Sequence, residues 1–252
     1  MSELPAAPFR EAAAAATEFL AGLDGVEAVL VAGSSARRAD ANDLDLWALV
    51  GSEEAGAEVE RHFASFAETS PELRAAATRG RFSDTELHST TGDFAPGPRG
   101  WTSGPDELEV AVGNLVAYSL CLWEGTTRYA DLRDRWLPYY DDALRATRLA
   151  EARMYAVNSL EHVPLMLERE EPFHAFHRLY TAFQEFLQAL FIERRTYPIA
   201  YDKWIREQVE GLLGLPELYR ELPPIVGVPS LELGALAASS RRLRALLDEW
   251  TT

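Results

Sequence analysis

The chain has 252 residues, 47% of them apolar, with six Trp, nine Tyr and eleven Phe. This is enough apolar material to bury one sizeable core or two modest ones, which excludes a disordered chain. The 40 acidic and 24 basic residues give a net charge of −16. Because such a surface repels phosphate backbones, we expect no duplex nucleic acid as a partner.

The cysteine count and the N-terminus predict a cellular location. Cys121 is the only cysteine, so an internal disulfide is excluded. Residues 1–23 lack the basic start and continuous apolar core of a secretory signal. The longest uncharged stretch, residues 110–123, is shorter than the roughly 20 residues of a membrane span. We therefore expect a cytoplasmic protein without a membrane partner, in which residues 110–123 are buried core.

The first half of the chain alternates between helical and extended patterns. Residues 8–23 are rich in Ala, Glu and Leu and predict a helix. Two short apolar runs that end at Gly-Ser pairs, residues 26–31 and 44–50, predict strands. Residues 53–76 return to helical spacing, and residues 82–90 predict a third strand. These elements predict a small mixed-sheet domain over residues 1–104.

The second half lacks strand signals after a Gly- and Pro-rich loop at residues 92–104. A helix is expected to begin near Pro105, and four later amphipathic stretches also predict helices, at residues 142–169, 173–194, 202–213 and 230–250, the last with Ser230 as N-cap. We predict an α-helical bundle domain over residues 105–252. The fold class is therefore α+β.

One short segment combines features that suit phosphate and metal chemistry. The first predicted strand ends in Gly33-Ser34-Ser35, and the second begins with Asp43 and Asp45. Strand side chains alternate, so the two aspartates project on the same face, roughly 6 to 7 Å apart. Carboxylates at this spacing suit Mg²⁺, which also takes phosphate oxygens as ligands. The Gly-Ser turn offers backbone N–H groups and a hydroxyl to a phosphate.

This pattern of Gly-Ser, an eight-residue spacer and Asp-apolar-Asp-apolar resembles the signature of the polymerase-β-like nucleotidyltransferase superfamily. The resemblance implies that Asp43 and Asp45 bind one or two Mg²⁺ ions. It also implies that Gly33, Ser34 and Ser35 bind a nucleoside triphosphate, with ATP as co-substrate.

The family has a third carboxylate on a later strand, and two residues fit that role. Glu86 lies on a predicted strand that follows a helix, which is the order that the resemblance requires. Glu109 has apolar neighbours on both sides but falls near a helix start. We favour Glu86 as a catalytic residue and metal ligand and leave Glu109 as the alternative. His88, which shares the face of Glu86, is a candidate for orienting a water or a substrate.

The helical half contains one further candidate. Lys203 is the only lysine among the 24 basic residues and stands in a Tyr-Pro and Lys-Trp region that resembles small-molecule nucleotidyltransferases of the aminoglycoside and lincosamide type. The resemblance implies that Lys203 contacts the nucleotide phosphates. It predicts an enzyme that moves AMP from ATP to a hydroxyl of a small molecule. A protein-directed AMP transferase, an antitoxin-like regulator and an inactive nucleotide-binding module remain alternatives, and a homodimer remains an option.

Acidic and aromatic residues of the second half are candidates for binding a cationic acceptor such as an aminosugar. Ammonium groups pair with carboxylates, and sugar faces pack on aromatic rings. The candidates are Glu185, Glu193, Asp141, Asp142, Trp136, Tyr139 and Tyr140.

Overall fold

The computed structural model describes residues 9–38, 41–79 and 85–251. It confirms the α+β class. The chain forms two compact units, one made of Met1–Ala95 with Ala111–Leu137 and the other of Pro96–Val110 with Pro138–Thr252. This division differs from the predicted single boundary after residue 104, because the chain returns to the first unit after Val110.

The first unit contains a four-stranded mixed sheet in the order β3-β2-β1-β4. Strands β1 (Val26–Val31) and β2 (Leu44–Val50) run antiparallel, and β3 (Thr85–Thr90) runs parallel to β2. The first two strands have the predicted bounds. Of the third predicted strand, residues 82–84 lie outside the described residues.

The two faces of this sheet differ in what covers them. Helices α1 (Arg10–Ala21), α2 (Glu53–Thr69) and α3 (Pro71–Ala77) pack on one face, and a buried cluster there includes Val29, Val31, Leu44 and Leu46. On the other face, Ala28, Leu30 and Leu49 pack on Tyr129. Asp45 and Trp47 project to this second face and are half-buried. The period of two along β2 therefore separates the apolar core from the acidic residues.

The predicted helix at residues 53–76 is in fact two helices. Ser70 has extended backbone angles and precedes Pro71, whose ring disfavours a helical conformation in the preceding residue. The Ser70 hydroxyl then caps α3 by accepting a hydrogen bond from the Leu73 N–H.

The expectation of buried core at residues 110–123 was only partly right: Val112, Leu115 and Val116 are buried, but the residues after them are not. The chain forms α4 (Leu108–Val112), a π-helical turn (Gly113–Ala117) and then the edge strand β4 (Leu120–Glu124), whose side chains are half-buried or exposed. Strand β4 pairs antiparallel with β1, and α5 (Arg128–Trp136) follows it. The helix predicted from Pro105 begins at Leu108, whose N–H donates to the Asp106 carboxylate.

The second unit is a helical bundle made of α6 (Asp142–Glu168), α7 (Pro172–Glu193), α8 (Pro216–Val226) and α9 (Leu233–Trp250). Phe183, Leu187 and Leu190 of α7 are buried in its core. The apolar stripe predicted for this helix is therefore core. No helix in the described part of the chain is long and apolar enough to cross a membrane.

Two further expectations for this unit differ from the structure, the first in part and the second in full. The helix predicted at residues 202–213 is mainly a π-helical segment, Glu207–Leu212. Ser230 is not an N-cap, because it lies in a 3₁₀ turn with φ 50° and α9 begins three residues later. An N-cap needs extended backbone angles so that its side chain reaches the first helical N–H groups.

Candidate functional site

The turn after β1 is tied to the start of β2. The Ala32 N–H donates to the Asp45 carbonyl at 2.9 Å, which continues the pairing of the two strands by one residue. The Arg37 and Arg38 N–H groups donate to the Ser34 carbonyl at 3.0 and 2.8 Å and close the turn. The Gly-Ser segment is thus fixed next to the two aspartates.

Gly33 is required in this turn for two reasons. Its φ is +60°, a region that favours glycine. A Cβ at this position would also lie only 1.8 Å from Oδ2 of Asp45. The Asp45 carboxylate therefore occupies the space that any other residue would fill, in contact with the backbone of the turn.

The two serines have different roles. The Ser34 hydroxyl donates to Oδ1 of Asp43 at 3.3 Å, and both residues are half-buried. Ser35 is buried, donates to the Ala32 carbonyl at 3.0 Å and accepts from the Asp45 N–H at 3.4 Å. Ser35 therefore holds the turn to β2, and its contact with a nucleotide remains a prediction.

Glu86 lies beside Asp45 in the sheet. The two residues are register partners on the parallel strands β2 and β3, so their side chains leave the same face. The Glu86 side chain is exposed, and its Oε2 lies 3.4 Å from Nε2 of His88. The His88 ring packs on Trp47, its own register partner, with ring centroids 4.9 Å apart. Trp47 was not among the predicted site residues, although its position two residues after Asp45 in a strand places it on the same face.

Glu109, the alternative third carboxylate, belongs to the helical unit and is fully buried. Its Oε1 accepts from Tyr140 and Arg148, and its Oε2 accepts from Arg148 and Gln188. Both oxygens are used inside that unit. Glu86 is therefore the better candidate for a role beside the aspartates.

The donor chemistry of the sheet face suits Mg²⁺, which proteins commonly bind through one or two carboxylates while substrate phosphates and waters complete the shell. Asp43 and Asp45 supply two carboxylates of this kind. Because Gly33 has no side chain, the Asp45 carboxylate can lie against the turn. Within residues 9–38, 41–79 and 85–251, no group of three or more His, Cys, Asp or Glu side chains could hold a metal ion. The structure thus brings Glu86 next to Asp45 along the strands without forming a metal-binding group of three carboxylates.

Lys203 lies in the helical unit, where its side chain is exposed. Its carbonyl accepts a hydrogen bond from the Gln208 amide at 2.9 Å, which fixes the backbone before the π-helical segment. Its contact with nucleotide phosphates remains a prediction.

The four acids predicted to bind an acceptor have partners within the chain. Glu185 pairs with Arg99, Glu193 with Arg145, and Asp142 with Arg195. Asp141 caps α6 by accepting from two backbone N–H groups. Trp136 and Tyr140 are buried. These contacts give each carboxylate a structural role.

Comparisons with known proteins found similarity at the level of structure. The sequence matches no protein-family model, and no curated protein is significantly similar to it. The fold is similar to the crystal structure of a nucleotidyltransferase-like protein from Exiguobacterium sibiricum 255-15, with 13% identity and a TM-score of 0.49. The similarity covers 95% of this chain and 74% of that one.

Proposed function

We propose that this protein is a nucleotidyltransferase that moves a nucleoside monophosphate, AMP from ATP, to a hydroxyl group of a small molecule with the help of Mg²⁺. One observation carries the proposal: the Asp45 carboxylate occupies the space of the missing Gly33 side chain. This contact joins a Gly-Ser turn to a strand with two carboxylates. A triphosphate bound with its metal needs backbone N–H groups, a hydroxyl and carboxylate oxygens within one small region.

In this proposal the aspartates would bind the metal and the residues of the turn would bind the phosphates. Asp43 and Asp45 would hold Mg²⁺, which when bound offsets charge on the phosphates and aligns the attacking and leaving oxygens. The Ser34 hydroxyl and the Gly33 N–H would hold the β- and γ-phosphates. Fixed groups of this kind lower the barrier mainly by positioning and electrostatics, as phosphoryl transfer requires.

We assign Glu86 to the acceptor side of the reaction. Its exposed carboxylate lies on the same face as Asp45 and contacts His88. The Glu86 carboxylate would either complete the metal shell beside Asp45 or accept the proton of the acceptor hydroxyl. His88 would then orient the Glu86 carboxylate.

The acceptor and the departing pyrophosphate complete the proposal. An aminoglycoside-like acceptor carries several ammonium groups, and the net charge of −16 attracts cations. Lys203, with its compact ammonium group, would stabilise the leaving pyrophosphate.

Asp45→Asn tests this proposal because it removes a charge with little change of shape. Purified protein is incubated with labelled ATP, Mg²⁺ and a panel of aminosugars, and the labelled products are separated. We expect transfer to fall by at least roughly 10²-fold in the variant, since a group that stabilises developing charge is lost. Asp24→Asn, at an exposed aspartate before β1, is the matched control and should retain full transfer. Wild-type transfer by the Asp45 variant would contradict the proposed role.

A second candidate function is nucleotide binding without turnover. The pairing of Glu86 with His88 supports it, because a site in which only Asp43 and Asp45 hold the metal can bind a nucleotide without activating it. The same assay separates the candidates. Label on a small molecule supports the transferase, label on a lysate protein indicates a protein-directed enzyme, and ATP binding without any product supports the binding module.

A further inference from the structure

Two successive register pairs on the second face of the sheet carry side chains of different chemistry. Asp45 of β2 is paired with Glu86 of β3, and two residues further along both strands Trp47 is paired with His88. Because alternate side chains of a strand project on the same face, all four leave the sheet on one side. Trp47 and His88, here called the aromatic row, therefore follow the acidic pair at a distance of roughly 6 to 7 Å along the strands.

The aromatic row is supported by the sheet and remains accessible to solvent. Trp47 is half-buried and packs against the apolar cluster that includes Leu30 and Leu49. The His88 ring lies against the indole, with ring centroids 4.9 Å apart and planes tilted by 35°, and its side chain is 47% exposed. Because these contacts already fix the indole, a ligand that packs on it loses little side-chain entropy on binding.

Negative charge lies next to these rings. Oε2 of Glu86 is 3.4 Å from Nε2 of His88, and the Glu86 side chain is 61% exposed. An ammonium group is attracted to the face of an aromatic ring, most strongly to that of tryptophan, and a nearby carboxylate adds to the attraction. The sheet face therefore offers a ring surface and a counter-charge to the same ligand.

The aromatic row lies on the side of Asp45 that is further from the Gly-Ser turn. The Ala32 N–H, at the start of the turn, donates to the Asp45 carbonyl, whereas Trp47 is paired with Leu30, two residues before Ala32. In the proposed transfer the acceptor oxygen bonds to the α-phosphorus as the bond to pyrophosphate breaks, and the hydroxyl proton passes to Glu86 or to water. The attacking and leaving oxygens lie roughly in line. With pyrophosphate at the turn, the acceptor approaches from the side of Trp47.

We propose that Trp47 and His88 form the acceptor-binding surface of this site, and that the acceptor is a ring-shaped alcohol with an ammonium group. A ring face of the acceptor packs on the indole and the imidazole, and the ammonium group lies beside the Glu86 carboxylate. The surface is assigned on the basis of the proposed function, because the direction of approach is that of a transfer acceptor. Acceptor binding is thereby assigned to the sheet face, whereas the acids of the helical unit have partners within the chain.

Binding of an aminosugar without turnover tests this surface directly. The dissociation constant of tobramycin, an aminosugar with several ammonium groups, is measured by calorimetry with Mg²⁺ and an ATP analogue that cannot release pyrophosphate. Trp47→Leu removes the indole and keeps an apolar residue in the strand. We expect the dissociation constant of tobramycin to rise about 5- to 30-fold, the range expected for the loss of a cation–aromatic contact at a partly buried site.

Two controls separate this surface from general effects. Trp123→Leu changes another half-buried tryptophan of the same unit, which packs on the helix-covered face of the sheet. This variant should keep the wild-type affinity for tobramycin. Per-N-acetylated tobramycin keeps the rings and loses the ammonium charges, so it should bind the wild-type protein more weakly and respond less to Trp47→Leu.

A spectroscopic measurement covers the case in which Trp47→Leu does not fold. The indole N–H signal of Trp47 in the wild-type protein is assigned in an NMR spectrum by its loss in Trp47→Phe. A shift of this signal on addition of tobramycin supports the proposal. An unshifted signal overturns it.

The calorimetric outcomes separate this surface from the proposed function. An unchanged tobramycin affinity in Trp47→Leu overturns the proposal, as does the absence of tobramycin binding to the wild-type protein. A loss of affinity for the ATP analogue alone also overturns it, because the aromatic row would then hold the adenine base. Transfer from labelled ATP is measured separately. Binding through Trp47 without transfer would contradict the proposed function only, and transfer that requires Asp45 but not Trp47 would contradict the acceptor surface only.

Discussion

The two units use carboxylates in opposite ways. In the helical unit, Asp106 and Glu109 are buried and accept four hydrogen bonds from Arg148, which donates to Asp106 at 2.6 and 2.7 Å and to Glu109 at 2.8 and 2.9 Å. In the strand-containing unit, Asp43 and Asp45 are half-buried beside a hydroxyl and a glycine turn. The first arrangement neutralises charge with an arginine, and the second keeps acidic side chains at a surface.

The hydrogen-bond partners of a carboxylate therefore help to separate structural from functional acids in a chain that has 40 acidic residues. A buried carboxylate whose oxygens already accept several hydrogen bonds from arginine and neighbouring groups has little capacity left for a ligand. A half-buried carboxylate at a turn that needs glycine leaves room for one.

The largest effect is expected for Arg148→Met, which leaves Asp106 and Glu109 buried without their cation. The free energy of unfolding of the helical unit should fall by about 3 to 5 kcal/mol, the usual cost of removing one partner of a buried pair. Hydrogen exchange of the α6 and α7 amides measures this change. Arg244→Met, at an exposed pair with Asp248, is the control and should cost less than about 1 kcal/mol. An equal loss of unfolding free energy in the two variants would contradict the distinction between buried and exposed ion pairs.

Gly33→Ala should have an intermediate effect, confined to the strand-containing unit. The positive φ and the displaced Asp45 carboxylate should together lower the unfolding free energy by about 1 to 3 kcal/mol and weaken ATP binding. Gly51→Ala is the control, because a Cβ there meets only one atom at ordinary contact distance. Chemical denaturation and ATP titration provide the readouts. Unchanged ATP binding in Gly33→Ala would show that the turn does not position the site.

The smallest effects are expected at Asp141, which caps α6, and at Ser230, which precedes α9 without capping it. Asp141 accepts from the Ala143 and Leu144 N–H groups at 3.0 and 2.9 Å, so Asp141→Ala should cost about 1 kcal/mol. Ser230→Ala should change stability by less than about 0.5 kcal/mol, because Ser230 does not cap α9. Thermal unfolding of the two variants measures both changes, and a larger loss for Ser230→Ala would contradict the boundary of α9.

The parts of the fold that follow from local pattern were predicted with the right bounds. Strands β1 and β2 have clear apolar runs and turn signals, and the stripe on α7 repeats at three- and four-residue spacing from Phe176 to Leu190. Strand β4 was missed because its short apolar sequence has no alternation and its partner, β1, lies about ninety residues earlier in the chain. The break at Ser70 was predictable from Pro71 and was overlooked.

The candidate site follows the same division. The shared face of Asp43 and Asp45 could be predicted from the sequence, because alternate side chains of a strand project on the same face. The strand register that places Glu86 beside Asp45 could not be predicted from the sequence. Neither could the burial of Glu109. Both depend on contacts between residues that are distant along the chain.

The sequence by itself determined the α+β class, the Gly-Ser turn and the paired aspartates, since these depend on neighbouring residues and on the backbone geometry of a strand or turn. Only the tertiary structure decided which acids are buried with arginine and which remain at the sheet face. The reason is physical: whether a carboxylate is neutralised or exposed depends on the side chains that folding brings around it, and those come from other elements of the chain.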